Sequence, residues 1–233
     1  MILGIYGASG LGTEFVGLVT RSEVYLQKEA VINHEEYRPR YDDIVFIDDA
    51  PDKDGTVFFE LPVMSFDSAI EKYGLDGIEF ILAIGEPAVK DIVYKKLRDA
   101  GATVTSLIYP EIILPREYKH GPGLVVHKGS GIPPRADFGS NVLIQGVAIM
   151  GHDVKLGDNV VISSFAFVGG GTTIGRNTYV GPQSCIRNGI NIGENVIVGM
   201  GAVVTKDVPD NAVVYGNPAK VMRYNENGRV FSK

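Results

Sequence analysis

Residues 142–175 read VLIQGVAIMGHDVKLGDNVVISSFAFVGGGTTIG, and a large apolar residue returns at every sixth place: Ile144, Met150, Leu156, Ile162, Val168 and Ile174. Working outward, the register holds back through Phe138, Ile132 and Val126. It holds forward through Val180, Ile186, Ile192, Val198 and Val204, with no insertion. Small or branched residues such as Ala136, Val142, Ala148, Val154, Val160, Ala166 and Thr172 stand two positions before the rungs. Gly follows the rung at 139, 151, 157, 169, 175, 181, 193 and 199. A helix repeats every ~3.6 residues and a plain strand every ~2, so neither explains the pattern. A strict six marks a solenoid of short strands, with three hexads closing one triangular coil and the rungs stacking into a dry core. On this reading the glycines permit tight corners, and residues one coil apart lie on the same edge.

The chain before this ladder follows another rule. Ile2–Tyr6 is a short apolar run, followed by Gly7-Ala8-Ser9-Gly10-Leu11-Gly12 and an amphipathic stretch. Ile44–Ile47, Ile78–Ile84 and Val104–Ile108 read as further strands. Phe66–Tyr73 reads as a helix opened by Ser65, and another helix runs from Pro87 through Leu97. Strands alternating with helices predict a parallel α/β sheet. The domains are therefore placed at 1–110 and 111–233. The first coil, 111–123, reads as irregular because His120 occupies its rung, and the end from Lys206 reads as a cap over the solenoid.

Composition removes several classes. A net charge of -6 argues against a nucleic-acid partner. A nucleotide ligand stays open, because backbone amides bind phosphate without a positive surface. One cysteine, Cys185, allows no intramolecular disulfide and fits a reducing compartment; it reads as a small apolar filler. The apolar start is too short for a signal or a membrane span, so the expected location is the cytoplasm.

Gly7-x-Ser9-Gly10-x-Gly12 has the place of a phosphate-binding turn, but its spacing is not that of a nicotinamide site, and a purely structural tight turn explains it equally. Asp48, just past the second strand, has the place of a ribose or base contact, or belongs to a solvated acidic loop with Asp49, Asp52 and Asp54. Of four histidines, His152 stands out inside Met150-Gly151-His152-Asp153. A histidine moves a proton near neutral pH, and Asp153 could hold the ring. Only His127 and His152 lie in the regular ladder, which makes a three-histidine zinc site improbable, and no metal is expected.

Taken in order, Ile5-Tyr6-Gly7-Ala8-Ser9-Gly10-Leu11-Gly12, Phe46-Ile47-Asp48-Asp49, Leu82-Ala83-Ile84-Gly85, Gly151-His152-Asp153, the ladder and Gly216-Asn217-Pro218-Ala219 resemble one family. It is the bacterial sugar acetyltransferases, which include the sialic acid O-acetyltransferases and the UDP-4-amino-sugar N-acetyltransferases. The resemblance implies a Rossmann-like α/β domain followed by a left-handed parallel β-helix, a homotrimer, and acetyl-CoA as donor. It implies acetyl transfer to the amine of a nucleotide-linked sugar for surface polysaccharide or glycan synthesis. The alternatives are a hydroxyl acceptor on a sialic-acid-like sugar or a non-enzymatic trimeric scaffold.

By the same resemblance His152 is the general base, Asp153 orients it, and the Gly170 amide, one coil above, holds the thioester oxygen. Gly169, Gly170, Gln145, Asn188, Gly216, Asn217 and Pro218 contact the coenzyme. Gly7, Ser9, Gly10, Asp48 and Gly85 line the acceptor pocket. Three departures stand out: Gln145 where the family carries Asn, Glu86-Pro87 after Gly85, and a long 21–43 segment expected to reshape the acceptor pocket.

Overall fold

The computed structural model describes residues 1–226 and 228–231. The chain divides into two units, Met1–Gly85 with Val93–Pro110, and Glu86–Ile92 with Glu111–Lys233.

The first unit runs β1 (Ile2–Tyr6), α1 (Gly10–Asn33), β2 (Asp43–Ile47), β3 (Val57–Phe58), β4 (Leu61–Met64), α2 (Phe66–Tyr73), β5 (Ile78–Leu82), α3 (Pro87–Asp99) and β6 (Thr103–Val104), with α3 shared between the units. The sheet order is β3-β4-β2-β1-β5-β6, parallel except for the edge pair β3–β4. Its central strands are near-continuous apolar runs because helices cover a parallel sheet on both faces. Val45, Ile47, Phe80 and Leu82 pack with Phe66 of α2 and Leu97 of α3. Helix α2 starts where Ser65 accepts from the Ser68 N–H, as a capping hydroxyl should.

Two expectations fail here. The strand predicted over Val104–Ile108 is broken. Thr105 N–H still bonds Phe80 O, after which the chain leaves this sheet, and Leu107–Ile108 is a separate two-residue strand. The β3–β4 hairpin was not legible, because its two-residue turn is Phe59-Glu60, both left-handed at φ 50 and 61. That turn normally announces itself through Asn-Gly.

In the second unit, rungs eighteen residues apart pair in parallel along three faces. The first stacks Val125–Val126, Leu143–Ile144, Val161–Ile162, Tyr179–Val180 and Ile197–Val198. The second stacks Tyr118–His120, Ala136–Phe138, Lys155–Leu156, Thr173–Ile174 and Asn191–Ile192. The third stacks Ile149–Met150, Phe167–Val168, Cys185–Ile186 and Val203–Val204. Every rung from Val126 to Val204 is buried.

The glycines after the rungs are not the corner residues. The left-handed corners lie two residues later, at Arg135, Asn141, Val147, Asp153, Asn159, Phe165, Gly171, Asn177, Gln183, Gly189, Asn195 and Gly201. The glycines answer a different demand, close approach of successive coils: a methyl on Gly151 would lie 2.4 Å from the Gly170 nitrogen. Asparagine suits a corner twice over, since it tolerates the left-handed region and its amide can bond the coil above. Asn141 donates to Asn159 at 2.8 Å and Asn159 to Asn177 at 3.0 Å. Asp91, at the start of α3, accepts from Asn159 at 3.1 Å and Arg176 at 3.3 Å, which binds Glu86–Ile92 to this unit.

The solenoid is longer than the ladder suggests at both ends. Tyr118–His120 pairs with Ala136–Phe138, so 111–123 carries a true rung, with an exposed His120 where the core residue would be. At the other end Ile192 pairs with Val208 and Val198 with Val214, so the last coil is two residues short but still part of the stack. The cap is narrower than all of 206–233: it is the strand Lys220–Tyr224, antiparallel to Ala212–Tyr215.

Candidate functional site

One edge of the solenoid carries His152, Gly170 and Asn188 on three successive coils. His152 O accepts from Gly171 N at 2.8 Å, and Gly170 O accepts from Gly189 N at 3.0 Å. A methyl built on Gly170 would lie 3.2 Å from His152 Nε2, and one on Gly169 would collide with Asn188 Oδ1. So the imidazole sits directly under a bare backbone. Gly169 N–H bonds Ile186 O and Gly171 N–H bonds His152 O. Among the described residues, the Gly170 N–H between them makes no hydrogen bond.

His152 Nδ1 lies 2.6 Å from Asp153 Oδ2. Asp153 is itself gripped from the coil below by Arg135, through Nε to Oδ1 at 2.6 Å and Nη2 to Oδ2 at 2.7 Å. The Arg135 bonds, then the bond from His152, hold the Asp153 carboxyl well below the usual carboxylate range. The same pairing raises the Arg135 guanidinium. With Nδ1 facing a carboxylate, Nε2 is left to exchange a proton on the open side. A hollow lined by Gly131, Pro133, Pro134, Ile149 and Met150 adjoins the ring. Arg135 was missed in the sequence. Its signal was the spacing, since 135 and 153 are one coil apart and opposite in charge.

The other coenzyme candidates do not all join this cluster. Gln145 stands at the far end of the third face from His152, its carbonyl accepting from Ser130 Oγ at 2.7 Å. Gly216-Asn217-Pro218 turns beside Val203 at the top of that face, where Val203 N–H bonds Gly216 O at 2.9 Å. Cys185 is not a core filler: it is exposed on the outer side of the same face. His127 lies on the coil below Gln145, and burial pushes its imidazole down to about 4. Among the described residues, no group of three or more His, Cys, Asp or Glu side chains is placed to hold a metal.

In the first unit, Gly7, Ser9, Gly10, Asp48 and Gly85 gather past the C-terminal ends of β1, β2 and β5, where ligands bind in open parallel sheets. Ser9 is the N-cap of α1 yet makes no capping side-chain bond, and nothing lies within 4 Å of a methyl on Gly10. Gly12 is structural, since a methyl there would meet Gly7 O at 2.3 Å. The two aspartates part company. Asp49 accepts from Tyr6 Oη, from Lys96 at 2.7 Å and from Phe66 N at 3.0 Å. Burial works to raise the Asp49 carboxyl, but these bonds outweigh it and hold it low. Asp48 accepts from Ala50 N at 3.1 Å and, among the described residues, from no other partner. The 21–43 segment does not reach this site. Arg40 and Tyr41 each bond Glu79 at 2.8 Å, near the start of β5 and so at the opposite end of the strands.

Residues 171–206 match the family model described as bacterial transferase hexapeptide, six repeats. The matched repeats lie in the second unit. Among solved structures, the acetyltransferase domain of PglB from Neisseria gonorrhoeae FA1090, in complex with acetyl coenzyme A, is similar at 26% identity and a TM-score of 0.79. The match covers 95% of this chain and 98% of that one. WeeI from Acinetobacter baumannii AYE is similar at 29% identity and a TM-score of 0.68, covering 95% and 100%. PerB from Caulobacter crescentus, in complex with CoA and GDP-perosamine, shares the fold at 24% identity and a TM-score of 0.76, covering 96% and 98%. A comparison with the curated proteins found no match. Thus the hexapeptide match over 171–206 and the likeness to the PglB acetyltransferase domain, which covers 95% of the chain, agree with the sequence resemblance. Among the described residues, no helix is long and apolar enough to cross a membrane.

Proposed function

We propose that this protein transfers an acetyl group from acetyl-CoA to the amine of a nucleotide-linked amino sugar. The observation that carries this reading is the stack of the His152 imidazole under an unbonded Gly170 N–H on one solenoid edge. The amine attacks the thioester carbonyl while His152 Nε2 takes its proton. Charge developing on the carbonyl oxygen is received by the Gly170 N–H. Collapse then expels the CoA sulfur, to which the imidazole returns the proton. No covalent enzyme intermediate is required; holding both substrates together removes much of the entropic barrier. The acetyl-CoA complex of the similar PglB domain supports the donor.

The acceptor's nucleotide occupies Gly7, Ser9, Gly10, Asp48 and Gly85, with the phosphates at the α1 N-terminus and Asp48 on the ribose or base. The working form is a trimer of left-handed solenoids, in which Gln145 of one copy approaches His152 of the next. The third face supports this. Ile149, Phe167 and Cys185 stand exposed along it, and the adjoining corner presents Val147 and Phe165. Both corner residues are left-handed, at φ 62 and 61, a conformation that costs a branched or bulky side chain ~1–2 kcal/mol. Burial against a second copy offsets that cost. The pathway would be cytoplasmic synthesis of a surface glycan.

The test is CoA release from acetyl-CoA with UDP-, GDP- and dTDP-linked amino sugars against free sialic acids. Turnover with an amino sugar, cut about a hundredfold or more by His152→Ala, is the expected result. Turnover on sialic acids alone would move the acceptor to a hydroxyl, and no CoA binding by calorimetry would remove the enzyme reading.

A further inference from the structure

Beyond the histidine and its carboxylate, the same edge holds a guanidinium with no assigned role. We propose that Arg135 is a positioning residue that sets both the direction and the strength of the His152 base. This rests on the acetyl-transfer reading above.

The argument starts from the corner geometry. Arg135 and Asp153 hold equivalent left-handed corners on successive coils, at φ 57 and 60. On the two coils above, this edge has glycine at the same corner, Gly171 and Gly189, which suits it sterically; an arginine gains nothing from the backbone. What it gains is a fork. Nε and Nη2 each take one carboxylate oxygen, a bidentate geometry that only a guanidinium supplies. The backbone ladder fixes the spacing, with Asp153 N–H bonded to Pro134 O at 3.0 Å and Arg135 N–H to Glu117 O at 2.7 Å.

Two consequences follow. First, Oδ2 receives both Arg135 Nη2 and His152 Nδ1, so the fork aims that oxygen at the ring. The ring's other nitrogen then faces the Gly170 edge. Second, the guanidinium offsets the carboxylate charge that would otherwise stabilise an imidazolium. Removing the guanidinium would leave that charge uncompensated beside the ring. The charged groups around the ring are Asp153, Arg135 behind it, and Glu117 one coil lower, whose charge acts on Arg135. On the coil above, the edge over the ring is Gly169, Gly170 and Gly171, none of them ionisable.

The test compares wild type, Arg135→Asn and Arg135→Lys by the pH profile of kcat/KM and by NMR titration of the His152 ring. Asparagine is chosen because it already holds the equivalent left-handed position at the neighbouring corner, at 141, 159, 177 and 195. In Arg135→Asn the acid limb and the ring's titration midpoint both move up by about half a unit to one unit. The rate one unit below the wild-type limb falls about 3- to 10-fold, while the high-pH plateau falls only a few-fold. Arg135→Lys keeps the charge without the fork, so its limb stays near wild type and its plateau drops.

A folded Arg135→Asn whose limb and ring titration both superimpose on wild type overturns the proposal. So does a plateau loss with no shift of either. The two readings fail separately: unchanged turnover in His152→Ala would remove the base, while the ring titration in Arg135→Asn would still report whether Arg135 governs it. If Arg135→Asn does not fold, the Arg135→Lys profile decides alone, and a wild-type plateau there overturns the fork.

Discussion

The sheet unit and the solenoid solve the problem of placing chemistry in opposite ways. In the sheet, Gly7, Asp48 and Gly85 are distant in sequence and meet because three parallel strands end on one side. In the solenoid, His152, Gly170 and Asn188 meet because eighteen residues return the chain to the same edge. The sheet gathers its residues through topology and tolerates variation in its loops. The solenoid gathers them through counting and tolerates little before its last, shortened coil, since one extra residue between inner rungs displaces every rung after it.

The largest effect should come from breaking the count. Deleting one residue of 163–165, between two rungs, should leave no soluble folded protein, whereas deleting Glu35 or Glu36 from the exposed segment after α1 should leave the melting temperature within a few degrees. Soluble yield and circular dichroism check both.

Ile162→Ala, on a fully buried rung, should cost about 2–5 kcal/mol by denaturant unfolding.

A subtler contrast separates the two sites. His152→Ala should lower kcat, whereas Asp48→Ala should raise KM for the nucleotide sugar about tenfold with kcat little changed, the worth of one charged hydrogen bond. Steady-state kinetics with a common acceptor would read both.

Acid should act on the solenoid through His127. Burial holds its folded pKa at about 4, below the ordinary histidine value of 6.5. The folded state therefore binds fewer protons between these values, and stability falls as pH drops from about 6.5 through 4. His127→Gln should flatten that slope in thermal melts.

The smallest expected effect belongs to the sheet unit: Ser65→Ala should remove about 1 kcal/mol by deleting the α2 cap.

What could be read beforehand follows the same divide. The rungs were legible because a buried apolar side chain leaves a mark in composition at each turn. The glycines after them were visible but misassigned, because the sequence does not distinguish a residue chosen for its φ from one chosen for lack of a Cβ. Val147 and Phe165 hid the corner period, as neither advertises a left-handed backbone. Cys185 was read as filler because outward and inward neighbours on a two-residue strand look alike. In the sheet unit, the Phe59-Glu60 hairpin carried no turn residue to betray it. Asp48 and Asp49 could not be told apart until Tyr6 and Lys96 claimed the second.

The strand Lys220–Tyr224 has a consequence for assembly. A parallel stack is directional, so its last row of amides and carbonyls is a template for the first row of another molecule. Such head-to-tail joining never closes and runs on into a fibre. By folding back with reversed polarity across Ala212–Tyr215, the chain occupies that row itself on the first face and ends the stack there.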